Sequence, residues 1–167
     1  MKQTKRILLL LLVFVGNYAA DRLTKLIAVR YLEGKAPIEF FGRLMMLQYA
    51  ENDGAFLGLG GAFPVPLKIA LFITLPLAAC AAGLYWAFRP STKTSLAICA
   101  VSIIAGGLGN LQDRITNDFR VVDFLNFGLG PVRTGILNVA DLSVTFGALT
   151  LLILDAKTKK EGTLKGT

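Results

Sequence analysis

The chain has 167 residues, 54% of them hydrophobic and 17% charged, with no histidine and a formal net charge of +7. Charge this sparse beside so much apolar surface points to a membrane protein rather than to the nucleic-acid binder that +7 would otherwise suggest. Without histidine there can be no Ser-His-Asp triad, no Cys-His pair and no His-ligated zinc, so any catalysis must run on carboxylates, lysine, hydroxyls or the two cysteines.

Four stretches approach the roughly 20 apolar residues that a spanning helix needs, and the length fits one integral membrane domain over residues 1–167. The first span is predicted at about 7–29, apolar from Ile7 to Ala20 and amphipathic past Asp21 and Lys25. Its basic start (Lys2, Lys5, Arg6) followed by Tyr18-Ala19-Ala20 also has the form of a cleavable secretory signal. The helical pattern carried on by Leu23, Leu26 and Ile27 favours a retained span. A long connection at about 30–63 holds two strand-like runs, 37–41 and 44–49, around a turn at Gly42. The second span, about 64–88, contains Pro76, where a kink is expected. It also contains Leu77-Ala78-Ala79-Cys80, a lipobox-like string too deep in the chain to serve as one. The third span is placed at about 95–111, and the connection at about 112–135 includes a strand-like run at 119–127. The fourth, about 136–154, is apolar except for Asn138 and Asp141 near its start. Cys80 and Cys99 fall inside spans and read as small apolar fillers.

The expected architecture is thus an all-α membrane protein of four transmembrane helices with a small β element on its outer side. Orientation follows from the basic residues that flank the spans. The amino terminus, the short second connection (Arg89, Lys93) and the tail (Lys157, Lys159, Lys160, Lys165) together carry nine bases against Asp155 and Glu161. The rest of the chain holds nine bases and nine acids, so all of the +7 falls on one side. Both termini are therefore expected in the cytoplasm, with the two long connections outside. The excess charge is a topology signal beside anionic lipid, not a nucleic-acid footprint.

Polar residues within spans are costly and usually face a protein interior or an aqueous cavity. Here Asp21, Lys25, Asn52, Asn110, Asp113, Arg114, Asp123, Asn138 and Asp141 all cluster at the outer ends. Each has an ordinary explanation. Asp21 and Lys25 are four apart and can form an exposed ion pair; Asn52-Asp53-Gly54 is a turn signal. The glycines of 106–109 suit close helix packing, and Gly106, Asn110 and Arg114 share a face that can be a satisfied polar seam. Asp141, expected two turns into its span, can cap or pair there, and Asp123 can be a loop acid. Together they point to chemistry. Two carboxylates held close cannot both ionise cheaply, so one keeps a proton and polarises a carbonyl while the other activates water. That pair hydrolyses an amide without histidine, metal or covalent intermediate.

These residues fall in five blocks: Asp21–Lys25, Glu51–Phe56, Gly106–Arg114, Val121–Phe124 and Asn138–Asp141. In that order and spacing they resemble the bacterial lipoprotein signal peptidases, the signal peptidase II family of four-span intramembrane aspartic proteases. The resemblance implies that Asp123 and Asp141 are the catalytic dyad. It implies that Asn52, Gly54, Gly106, Asn110, Arg114, Asn138 and Ala140 line or hold the site, with Asp21 and Lys25 in support. It implies as substrate a diacylglyceryl-modified prolipoprotein cut just before its lipidated Cys, in contact with membrane lipid. It also implies a monomer in the bacterial cytoplasmic (inner) membrane with its site on the extracytoplasmic side. No metal, cofactor or nucleic acid is expected. Two departures concern loops: one Ala before Phe56 where many members have two, and a 115–120 connection without the usual glycine, for which Asn117-Asp118 can supply the turn. The alternative is a small transporter or channel subunit with intramembrane acids, which would be expected to carry polar residues through the whole bilayer depth.

Overall fold

The computed structural model describes residues 3–55 and 58–165, with side chains described to residue 157. Lys2 and Phe56 lie outside the described residues, as do the side chains of Lys159, Lys160, Glu161 and Lys165. The elements in order are α1 (Gln3–Leu32), β1 (Ile38–Phe40), β2 (Met45–Asn52), α2 (Val65–Phe88), α3 (Thr94–Thr116), β3 (Val121–Leu129), β4 (Val132–Leu137) and α4 (Val139–Lys165). Each of the four helices is long and apolar enough to cross a membrane.

The third helix is the hub. Some 56% of its most apolar stretch is buried, against 11%, 11% and 6% for the others, which leave their leucines facing outward as bilayer-exposed helices do. Its buried face is built from small residues (Ala97, Ala100, Ala105, Gly106, Gly109), and this lets neighbouring backbones come close. At one end Leu10, Ala87, Ala97, Ala100 and Val101 form an apolar core. There the buried Arg6 guanidinium donates to the carbonyls of Ala87 (2.7 Å) and Thr92 (3.1 Å), tying the start of α1 to the short α2–α3 connection. At the other end sits an antiparallel sheet in the order β1-β2-β3-β4. Ala28 and Leu32 of α1 pack under Val122 and Phe124 of β3 and fasten the sheet to the helices.

Several expected boundaries move. Residues 136–137 belong to β4, so α4 begins at Val139 and Asp141 lies in its first turn rather than two turns in. The third helix runs on to Thr116 and takes Asp113 and Arg114 into the bundle. In α2 the irregularity is a π-helical stretch at Ile69–Thr74. Pro76 follows it, in the first turn of the regular helix that resumes there, where a missing N–H costs little. The turn at Gly42 is present, and the 117–120 connection turns through left-handed Asp118 and Phe119 without a glycine.

Glycine at 106 is required by contact rather than by backbone torsion. A Cβ there would lie 2.5 Å from the Ala140 carbonyl oxygen and 3.2 Å from Ser143 Cβ. Gly106→Val is therefore expected to push α3 from α4 at a cost of about 1–3 kcal/mol, read as a lowered Tm in detergent. Gly16→Ala, with nothing within 4 Å, should leave Tm unchanged or slightly higher.

Candidate active site

The first turn of α4 sets up the site. Asn138 Oδ1 accepts from the Asp141 backbone N–H (2.9 Å), and Asp141 Oδ2 accepts from the Asn138 N–H (3.1 Å). This reciprocal cap holds the Asp141 carboxylate at the amino end of a helix, where the dipole favours an anion. Its other oxygen, Oδ1, accepts from Asn110 Nδ2 at 2.8 Å. Asn138 Nδ2 in turn donates to Asp123 Oδ1 at 2.6 Å, so one buried amide is bonded to both aspartates.

Asp123 is the third residue of β3, and the sheet brings it a partner from the first long connection. Beyond an irregularity after Leu47, Ala50 pairs with Asp123 and Asn52 with Val121. Asn52 Nδ2 then reaches Asp123 Oδ2 at 3.3 Å, and its Oδ1 accepts from the Gly54 N–H (3.2 Å) in a tight turn. Gly54 is buried against the returning chain, where a Cβ would lie 2.4 Å from the Gly58 carbonyl carbon. Its own carbonyl accepts from Arg114 (3.1 Å), whose guanidinium lies 5.5 Å from the centre of the Phe72 ring in the π-helical stretch of α2.

Behind the aspartates lies a buried ionic cluster. Lys25 Nζ lies 3.0 Å from Asp21 Oδ2 and 2.8 Å from Asp113 Oδ2, and donates to Asn110 Oδ1 at 2.7 Å. Asp113 also pairs with Arg22. Asp21 Oδ1 accepts from the Ala140 N–H (2.9 Å), at the start of α4, and a Cβ on Gly109 would sit 2.4 Å from Asp21 Oδ2. The side chains of Asp21 and Lys25 are 0% and 1% exposed, which overturns their reading as a surface pair. Two acids and two bases balance in this cluster, as buried charges must. Arg22 was not among the expected site residues, and Asp113, noted among the polar residues at the outer ends, was given no role there. The available signal was spacing, since Asp113 lies three residues past Asn110 and four past Gly109 on one helical face.

A cavity of about 530 Å³ opens in front of the aspartates. Asp123, Asp141, Asn52, Asn110 and Arg114 line it, together with Asp53; Pro76, Gly107, Ile136 and Val144 supply apolar wall from α2, α3, β4 and α4. Asp21, Lys25, Gly54, Gly106, Asn138 and Ala140 stand behind this lining and act on it through the contacts above. Asp123 is 2% exposed. Burial, and after it the charge of Asp141, push its carboxyl up from 3.8 to about 7, against the hydrogen bonds from Asn138 and Asn52 that favour the ionised form.

Four spanning helices, a sheet closing one end and two aspartates linked through Asn138 over one cavity define a membrane-embedded hydrolase of the aspartic type. Residues 12–156 match the profile of the signal peptidase (SPase) II family. The chain is 30% identical over 148 residues to the lipoprotein signal peptidase of Borrelia duttonii (strain Ly), covering 86% of each. It is 33% identical over 158 residues to that of Mycobacterium avium (strain 104), covering 90% of this chain and 80% of the relative. Its fold is similar to a solved structure described as a bacterial membrane enzyme obtained by the in meso method at 2.3 Å resolution, with a TM-score of 0.78 and 24% identity over 91% and 90% of the two chains. The chain belongs to the signal peptidase II family, and is thus a multi-pass bacterial membrane protease. Nothing in these matches favours a transporter or channel.

Proposed function

We propose that Asp123 and Asp141 are the catalytic pair and that the substrate is a diacylglyceryl-modified prolipoprotein, cut on the amino side of its lipidated Cys. The observation that carries this reading is that Asn138 donates to both carboxylates, to Asp123 from its side-chain amide and to Asp141 from its backbone N–H, with the Asp123 carboxyl pushed up to about 7. Asp123, protonated below about pH 7, donates to the scissile carbonyl oxygen. Asp141, fixed by Asn110 and by the helix cap, takes a proton from the attacking water. The tetrahedral intermediate then collapses: the carbonyl re-forms, its proton returns to Asp123, and Asp141 passes its proton to the leaving nitrogen of the Cys. The apolar walls of the cavity suit the lipid chains and the signal helix, while Asn52, Asn110 and Arg114 are placed to meet the peptide backbone.

Both termini face the cytoplasm in this reading, and the sheet and aspartates lie on the outer side of the bacterial inner membrane. Supporting it, Lys5 and Arg6 of α1 stand beside the loop that carries Arg89 and Lys93, at the bundle end opposite the sheet. The protein acts as a monomer in contact with lipid.

The deciding experiment is cleavage of a precursor peptide with and without the diacylglyceryl group. Cleavage of the lipidated form alone is expected; equal rates on both would overturn the substrate assignment. A pH dependence follows from Asp123. Because its pKa is raised, the proton needed for catalysis is present below about pH 7 and is lost as pH climbs through that value. The rate at saturating precursor should therefore fall on the alkaline side of about 7, and a flat profile up to pH 9 would contradict the role given to Asp123.

A further inference from the structure

Asp113 is not part of the lining of the cavity described above and makes no hydrogen bond to either aspartate, yet groups from α1 and β3 meet on its carboxylate. Oδ2 lies 2.8 Å from Lys25 Nζ of α1 and accepts from the Val122 backbone N–H of β3 at 3.3 Å, while Oδ1 pairs with Arg22. We propose that Asp113 is a positioning residue that aims both members of the dyad, Asp141 through Lys25 and Asn110, and Asp123 through Val122. This rests on the assignment of Asp123 and Asp141 as the catalytic pair.

The first route depends on donor chemistry. An ammonium has only donors, so Lys25 can face only the oxygen of the Asn110 amide, as it does at 2.7 Å. The amide's N–H₂ must then point away, and it reaches Asp141 Oδ1 at 2.8 Å. A flipped Asn110 would set N–H₂ against the ammonium and oxygen against the carboxylate. Asp113 holds Lys25 where it enforces this choice.

The second route runs along the strand. Val122 is gripped on both sides: its N–H by Asp113, and its carbonyl by Asn138 Nδ2 at 3.3 Å. The next residue is Asp123. Loss of the Asp113 contact leaves β3 paired with β2 and bonded to Asn138, but frees the Val122 N–H next to a carboxylate whose hydrogen bond to Asn138 is 2.6 Å long.

The full-length enzyme in detergent, with a diacylglyceryl-modified precursor peptide as probe, provides the test. Asp113→Asn should lower kcat about 100-fold, the scale of an ångström-sized misplacement, with KM within about threefold of wild type. Asp113→Glu keeps the charge on a longer arm and should fall between, about tenfold down in kcat with KM unchanged. Asp113→Leu combined with Arg22→Leu keeps the cluster neutral and supports folding, but removes the acceptor from Lys25 and Val122, so its kcat should stay as low as that of Asp113→Asn. A folded Asp113→Glu protein with wild-type kcat, a change confined to KM, or a double variant restored to wild-type kcat would each overturn the proposal. Asp123→Asn and Asp141→Asn, prepared in parallel, separate the two readings. If they are inactive while the Asp113 variants are active, only the positioning role fails; if they remain active, the dyad itself is wrong.

Discussion

Asp123→Asn and Asp141→Asn are each expected to remain folded in detergent and to cleave a lipidated precursor about 10⁴-fold more slowly than wild type, or worse. Asn has the shape of Asp but can neither take a proton from water nor deliver one to a leaving nitrogen. The two variants should nevertheless differ in stability. Both oxygens of Asp123 accept, from Asn138 Nδ2 at 2.6 Å and from Asn52 Nδ2 at 3.3 Å. An amide at 123 can keep its oxygen on Asn138 and lose only the longer bond, at a cost of about 1 kcal/mol. At 141 the oxygens serve the Asn138 N–H and Asn110 Nδ2. An amide that keeps the helix cap must turn its N–H₂ toward that of Asn110, and Lys25 prevents Asn110 from flipping to accommodate it. Asp141→Asn should therefore show the lower Tm of the two. Because the pair acts as a unit, the double variant should be no slower than the worse single one. Cleavage above about 1% of wild type by either folded single variant would remove that residue from the mechanism.

The sequence makes the membrane spans legible because hydrocarbon demands long apolar runs, and the runs are there at every span. It makes their ends less legible. Gly135-Ile136-Leu137 and Val139-Ala140 are apolar on either side of Asn138, so hydropathy alone does not mark where β4 stops and α4 starts. That ambiguity is what sets Asp141 two turns too deep when only the pattern is read. The marker was Asn138 itself: an Asn three residues before an acid is a capping signature, and the structure uses it as one. β4 was missed for a different reason. Arg133 and Gly135 interrupt its alternation, and its pairing with β3 shifts register between Asn126 and Gly128. The strand is stabilised by Asn126, whose Nδ2 donates to the carbonyls of Thr134 (2.8 Å) and Gly135 (3.3 Å), a tertiary contact that no local reading contains. The candidate site was legible as a set of residues at one depth, since polar groups at span ends are conspicuous there. Which of them touch was not. Lys25 looked like the surface partner of Asp21 because four residues separate them; Gly109 against Asp21, with Asp113 and Asn110 on the lysine, buries the pair in the folded protein.

Asn138 carries two duties, and substitution can separate them. Asn138→Asp should preserve the start of α4, since aspartate caps helices as well as asparagine and can still accept from the Asp141 N–H. It replaces the donating N–H₂ with a carboxylate oxygen facing Asp123 Oδ1, now 2.6 Å away, and Asn110 Oδ1, 3.0 Å away. The rate near neutral pH should drop about 10²–10³-fold, the loss that follows removal of one aimed donor in an active site. Part of it should return on acidification, because a third carboxylate in so crowded a place takes up a proton readily and, once neutral, can donate to Asp123 again. Asn138→Ser keeps a capping hydroxyl on a side chain too short to span the same gap. It should lose activity on a similar scale, without recovery at low pH. Asn138→Ala loses the cap as well and should be about 1 kcal/mol less stable than the Ser variant. The comparison of pH–rate profiles is decisive between the two duties. If Asn138→Asp cleaves at the wild-type rate at neutral pH, the amide serves only to start the helix and the link between the two carboxylates has no part in catalysis. If the rate is lost and acid restores it, the side-chain N–H that Asn138 gives to Asp123 is what lets the two aspartates work as a pair.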